Sequence, residues 1–167
     1  MKGLVLCVCV LIIASSAELK QPKNVTEILE ASLETCATEL TVDKRDLYRE
    51  EDIMNNLHTQ PGNEERTRKN GCFLACLLKK QNLMEGTDIK ESEVEEKITE
   101  LFEDNPFQTL AQTITRKCLK QARSDAEECE KGFTLFACAA RILHSVQHHA
   151  EHTREETEAE IETEQPL

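Results

Sequence analysis

Six cysteines, Cys36, Cys72, Cys76, Cys118, Cys129 and Cys138, stand with 35, 3, 41, 10 and 8 residues between neighbours. Thiols in that number can hold a metal as thiolates or oxidise in pairs. Structural zinc sites usually draw two ligands from one tight turn, and no C-x-x-C occurs here. An even set of six therefore reads as a disulfide framework in an oxidising compartment. The histidines offer the other chemistry. His144, His148 and His152 recur every four residues, and His148-His149-Ala150-Glu151-His152 matches the H-x-x-E-H zinc-protease pattern. A catalytic zinc also needs a third protein ligand and a cleft, whereas this stretch leaves the apolar part of the chain for a polar tail. There is no G-x-S-x-G, P-loop or G-x-G-x-x-G. No enzyme, metal site or cofactor is expected.

The N-terminus supports the oxidising compartment. Lys2 precedes an apolar run from Leu4 to Ile13 and the small residues Ala14-Ser15-Ser16-Ala17, the pattern of a signal peptide cut after Ala17. A run that short cannot cross a hydrocarbon core, which needs about 20 residues, so no stable membrane insertion is expected. Cys7 and Cys9 fall in the removed segment 1–17, leaving six cysteines to pair. Residues 18–150 are expected to form one domain. Residues 151–167 carry seven Glu and one Arg and read as a solvated extension of the last helix or as a disordered acidic tail, the latter favoured because the stretch lacks an apolar face and crowds Glu toward a helix C-terminus. The whole chain has a net charge of −12, which argues against nucleic acid as a partner.

These cysteines must be positioned by helices, because apolar residues recur with a helical period and no segment alternates like a strand. Val25, Ile28, Leu29, Leu33, Cys36 and Leu40 share a face of a first helix. A second, weaker helix is expected over Asp43–Leu57, and a third, buried in its second half, carries Cys72 and Cys76. Gly86-Thr87-Asp88 opens a loop. Ser92-Glu93-Val94-Glu95 and Ser124-Asp125-Ala126-Glu127 have the form of capping boxes, and Asn105-Pro106 of a helix start. On such helices Cys72 and Cys76 lie one turn apart, too far for a disulfide, while Cys129 and Cys138 point to opposite sides. Of the 15 pairings of six cysteines, ten remain.

The cysteine order, with C-x3-C, a gap near forty and then C-x10-C-x8-C on a secreted helical chain, resembles the insect odorant-binding protein family, pheromone-binding and general odorant-binding proteins together. The segment Asn70-Gly71-Cys72-Phe73-Leu74-Ala75-Cys76-Leu77-Leu78 is similar to ant and other hymenopteran members. The likeness covers about Val25 to His149. It implies an all-α fold of about six helices around an apolar cavity, with three interlocked disulfides, Cys36–Cys76, Cys72–Cys129 and Cys118–Cys138. It also implies the function, reversible carriage of a small hydrophobic ligand such as an odorant, pheromone or lipid, with a membrane receptor as a further partner. Oligomeric state is left open.

Apolar stripes nominate the lining: Leu29, Leu33, Ile98, Leu101, Phe102, Phe107, Ile114, Phe133, Phe136 and Ala140, with Met54, Leu57, Phe73, Leu77 and Met84 closing the sides. Phe133 and Phe136 stand out as large aromatics among alanines. His144 follows the apolar stripe ending at Leu143 and is the expected pH switch, with affinity falling from pH 7 to 5 as protonation favours a state that exposes it. Asn24-Val25-Thr26 is a glycosylation sequon. Two rival readings are a saposin-like lipid-surface module, which would need an exposed apolar face, and a signalling protein acting through its surface.

Overall fold

The computed structural model describes the backbone of residues 23–163 and the side chains of residues 29–147. Six α-helices account for most of it: α1 (Lys23–Glu39), α2 (Glu50–Met54), α3 (Glu64–Lys80), α4 (Glu91–Leu101), α5 (Gln108–Ala122) and α6 (Glu128–Thr163). The fold is all-α. A 3-10 turn, Leu57–Thr59, follows α2, and two short antiparallel strands, β1 (Met84–Glu85) and β2 (Asp88–Ile89), join α3 to α4. The central pairing is α3 against α6; α5 covers α6 on another side and α4 leans on α5.

Three disulfides tie this arrangement: Cys36–Cys76, Cys72–Cys129 and Cys118–Cys138, linking positions 40, 57 and 20 residues apart. Loops of that size are each worth about 3–4 kcal/mol in the chain-entropy account. The bridge between α3 and α6 is accompanied by a close backbone approach. A Cβ on Gly71 would stand 1.8 Å from the Cys129 carbonyl oxygen, and one on Gly132 would stand 2.2 Å from the Gly71 carbonyl oxygen. A glycine inside a helix costs roughly 0.5–1 kcal/mol relative to alanine. Here the missing side chains let the two backbones touch.

The second helix is shorter than its apolar stripe suggests. Residues 43–49 form a loop with a turn at 44–46, because local side-chain bonds compete with the helical ladder. Asp46 accepts from the Asp43 N–H at 2.9 Å and Asp43 accepts from the Arg45 N–H at 3.0 Å. From α3, Arg66 donates to the carbonyls of Asp46 and Leu47, both at 3.0 Å. Buried Asn70 donates to the Asp46 carbonyl at 2.7 Å and accepts the Tyr48 N–H at 2.8 Å. The loop is thus held by side chains rather than by its own helix.

Other boundaries also differ from expectation. The expected loop at Gly86–Asp88 is the turn of the small hairpin, with Gly86 at φ +58°. Helix α4 already begins at Glu91 with Lys90 as its cap, so Ser92 lies inside the first turn and its capping box does not form. Helix α5 begins at Gln108; Asn105 accepts the Phe107 N–H at 2.8 Å, and Pro106 and Phe107 belong to the turn before it. Ser124 donates back to the Gln121 carbonyl at 2.9 Å instead of capping α6, which starts at Glu128. In the acidic stretch the backbone of α6 continues through Thr163. Glu and Ala are strong helix formers, and no Gly or Pro interrupts the sequence between Gly132 and Pro166.

Candidate ligand-binding site

The apolar residues divide among four clusters rather than lining one wall. Leu33 packs with Cys36, Phe73 and Leu77 between α1 and α3. Ile98, Leu101 and Phe102 meet Ala111 between α4 and α5. Ile114 joins Cys118, Cys138 and Ala139 between α5 and α6. Phe133, Phe136 and Ala140 share the fourth cluster with Tyr48, Ile53, Leu57, Leu74 and Ala137. Leu29 is half-buried, as is Met54, while Met84 is buried. Phe107, expected on the buried stripe, is instead 43% exposed; with α5 beginning one residue later, it sits in the preceding turn and not on the helix face that packs.

The fourth cluster is the one built from aromatic rings, and its shape comes from three segments. Helix α6 supplies Phe133 and Phe136, whose ring centroids are 6.2 Å apart. The stitched loop presents Tyr48, fully buried, at 6.0 Å from Phe133 in an edge contact. The 3-10 turn adds His58, 5.3 Å from Phe133 and 6.4 Å from Tyr48. Tyr48 is fixed at both ends. Its N–H is taken by Asn70, its hydroxyl lies 3.0 Å from Thr67 Oγ1, and the Arg66 guanidinium covers its ring at 4.1 Å. Rings offset in this way gain roughly 0.5–1.5 kcal/mol beyond area burial.

At the edge of the cluster the groups turn polar. Arg141 Nη2 lies 3.2 Å from His58 Nε2 and 3.3 Å from Asn56 Oδ1. A guanidinium can only donate, so His58 Nε2 accepts and the proton of the neutral ring stands on Nδ1. That Nδ1 is buried with no hydrogen-bond partner among the described residues. Burial, and then the positive charge of Arg141, hold the His58 pKa below its ordinary value of 6.5.

His144, the expected switch, meets a carboxylate. Its Nδ1 is 2.6 Å from Glu50 Oε1, both side chains being about one-third exposed. The contact staples α2 to α6. Among the described residues no three His, Cys, Asp or Glu side chains converge as metal ligands, and no helix is long and apolar enough to cross a membrane. The side chains of Asn24, His148, His149 and His152 lie outside the described residues.

Tyr48, His58, Ile53, Leu74 and Arg141 were not nominated by the sequence. A helix over Asp43–Leu57 would have put Tyr48 off the apolar stripe, and only the loop brings it inward. The available signals were that Tyr48 is the chain's single tyrosine and that His58 lies far from the other histidines.

Residues 19–141 match the model of the PBP/GOBP family. The chain belongs to this family. Among its relatives, pheromone-binding protein Gp-9 of Solenopsis nigella gensterblumi is 27% identical over 140 residues, covering 83% of this chain and 90% of the relative. The proteins of the same name from Solenopsis globularia littoralis and Solenopsis daguerrei are 28% identical over 104 residues and 27% over 105, covering 62% and 63% of this chain and 66% and 68% of the relatives. No solved structure matches. The matched family segment holds all six cysteines and the four rings of the cluster, and it ends at Arg141.

Proposed function

We propose that this protein is a secreted carrier that reversibly binds one small hydrophobic ligand among Tyr48, Phe133, Phe136 and their aliphatic neighbours, and that it acts by binding rather than catalysis. The observation that carries the reading is the aromatic cluster, set between α3, α6 and the loop that Arg66 and Asn70 hold in place. Aromatic side chains present large apolar area with few rotatable bonds, so a ligand placed among them loses little to the ordering of the site. Family membership and relatives named as pheromone-binding proteins support the same reading. On it, residues 1–17 are removed as a signal peptide, residues 18–150 form the binding domain, and the ligand travels through an extracellular fluid.

The test is equilibrium displacement of a neutral hydrophobic fluorophore from the oxidised protein, together with native mass spectrometry of protein from its source. One displaceable site per chain and a co-purified apolar molecule are expected. A protein that takes up no probe under conditions where its circular dichroism is helical would overturn the reading and favour a surface-acting signalling protein.

A further inference from the structure

Arg141 stands at the edge of the aromatic cluster without a carboxylate partner among the described residues. Among the described residues nine Lys or Arg side chains make ion pairs with carboxylates, from Arg45 with Asp43 to Arg123 with Glu91, while others do not, such as Lys131, which donates to the Thr87 carbonyl. Arg141 instead contacts two neutral acceptors, Asn56 Oδ1 and His58 Nε2, and no carboxylate lies within 4.0 Å of it among the described side chains. Nor does the sequence provide one along the helix: positions 137, 138, 144 and 145 are Ala, Cys, His and Ser. Both contacts use Nη2, so Nε–H and the two Nη1 hydrogens have no partner among the described residues.

The position of this cation matters as much as its free donors. The His58 ring joins it to the aromatic cluster, lying 3.2 Å from the guanidinium on one side and 5.3 Å, centroid to centroid, from Phe133 on the other. An exposed cation joined through one imidazole to a set of aromatic rings matches a molecule with an anionic end and an apolar body. The net charge of −12 makes a local cation necessary for such a molecule, since the surface as a whole disfavours anions. His58 Nδ1–H, buried and unpartnered, is a second donor at the same edge.

We propose that Arg141, held by Asn56 and His58, anchors the carboxylate of an amphiphilic ligand whose hydrocarbon chain lies against Phe133, Phe136 and Tyr48. This rests on the binding function proposed above and narrows it to carboxylic acids with an apolar chain. The guanidinium is the group of choice for that task because it remains charged at every relevant pH and presents planar donors to a carboxylate.

The oxidised full-length mature protein would be titrated at pH 8, where the acid is ionised, with dodecanoic acid and with 1-dodecanol, each displacing a neutral fluorophore. The wild type is expected to bind the acid at least tenfold more tightly than the alcohol. Arg141→Gln is expected to bring that ratio near one, and Arg141→Lys, which keeps the charge, to retain most of it. Equal binding of acid and alcohol by the wild type, or an acid-to-alcohol ratio unchanged in Arg141→Gln, would overturn the assignment while leaving the carrier function standing. If neither compound displaces the probe, the binding site itself is misplaced and the anchor falls with it.

Discussion

Gly71 and Gly132 meet backbone to backbone where α3 crosses α6, so neither position has room for a methyl group. The nearest atoms are backbone carbonyls next to a disulfide, which cannot swing aside as a flexible side chain would. Gly132→Ala is therefore expected to destabilise by about 2–3 kcal/mol or more, in the range of core overpacking, even though alanine is the better helix former. Denaturant unfolding of the oxidised protein checks this; a stabilised Gly132→Ala variant would show that the helices do not approach so closely.

Non-reducing peptide mapping should recover Cys36–Cys76, Cys72–Cys129 and Cys118–Cys138 and no free thiol in the mature chain. Replacing both Cys72 and Cys129 by Ser should cost about 3–4 kcal/mol, as expected for a loop spanning 57 residues. A recovered Cys129–Cys138 peptide is incompatible with both residues lying on α6.

Comparison of Phe133→Ala with Phe102→Ala separates the aromatic cluster from the cluster between α4 and α5. Each removes a large side chain from a packed region and should cost about 3–5 kcal/mol of stability if fully buried, less at half-buried Phe133. Only Phe133→Ala should weaken fluorophore binding, by at least tenfold, which is about 1.4 kcal/mol. Equal loss in both variants would place the ligand elsewhere or spread it across the core.

His58 gives a pH dependence whose sign is fixed by its surroundings. Burial and Arg141 lower its folded pKa below 6.5, so the folded state binds fewer protons than the unfolded state in that range. Its contribution is fully present above about 6.5 and is lost as pH falls through the folded value. The difference in unfolding free energy between wild type and His58→Gln should therefore shift against the wild type on going from pH 7.5 to pH 5. Parallel stability profiles for the two proteins would show that the ring is solvated.

Much of the helical framework was readable in the sequence because an apolar stripe repeats wherever a helix buries one side. Leu33 and Cys36 on α1, or Ile114 and Cys118 on α5, are found by spacing alone. The caps were less readable: Ser92 and Ser124 have the right neighbours, yet α4 begins one residue before Ser92 and Ser124 bonds backward. The site was the least readable part. Tyr48 and His58 come from a loop and a 3-10 turn, and what turns them inward is a set of bonds with Arg66, Thr67 and Asn70 on α3, between nine and twenty-four positions away. No periodicity encodes such contacts. Arg141 is inconspicuous in the sequence for a related reason: on a helical wheel it is only a solvent-facing charge, and its meaning comes from Asn56 and His58.

The overlap of the three disulfide loops has a consequence for a protein exposed to proteases. The loops 36–76, 72–129 and 118–138 together cover every peptide bond from Cys36 to Cys138 without a break. A single backbone cut anywhere in that stretch leaves the two fragments covalently joined, and a nicked molecule keeps Tyr48 and Phe133 on one connected body. Three bridges closing separate, consecutive loops would leave stretches where one cut releases a piece.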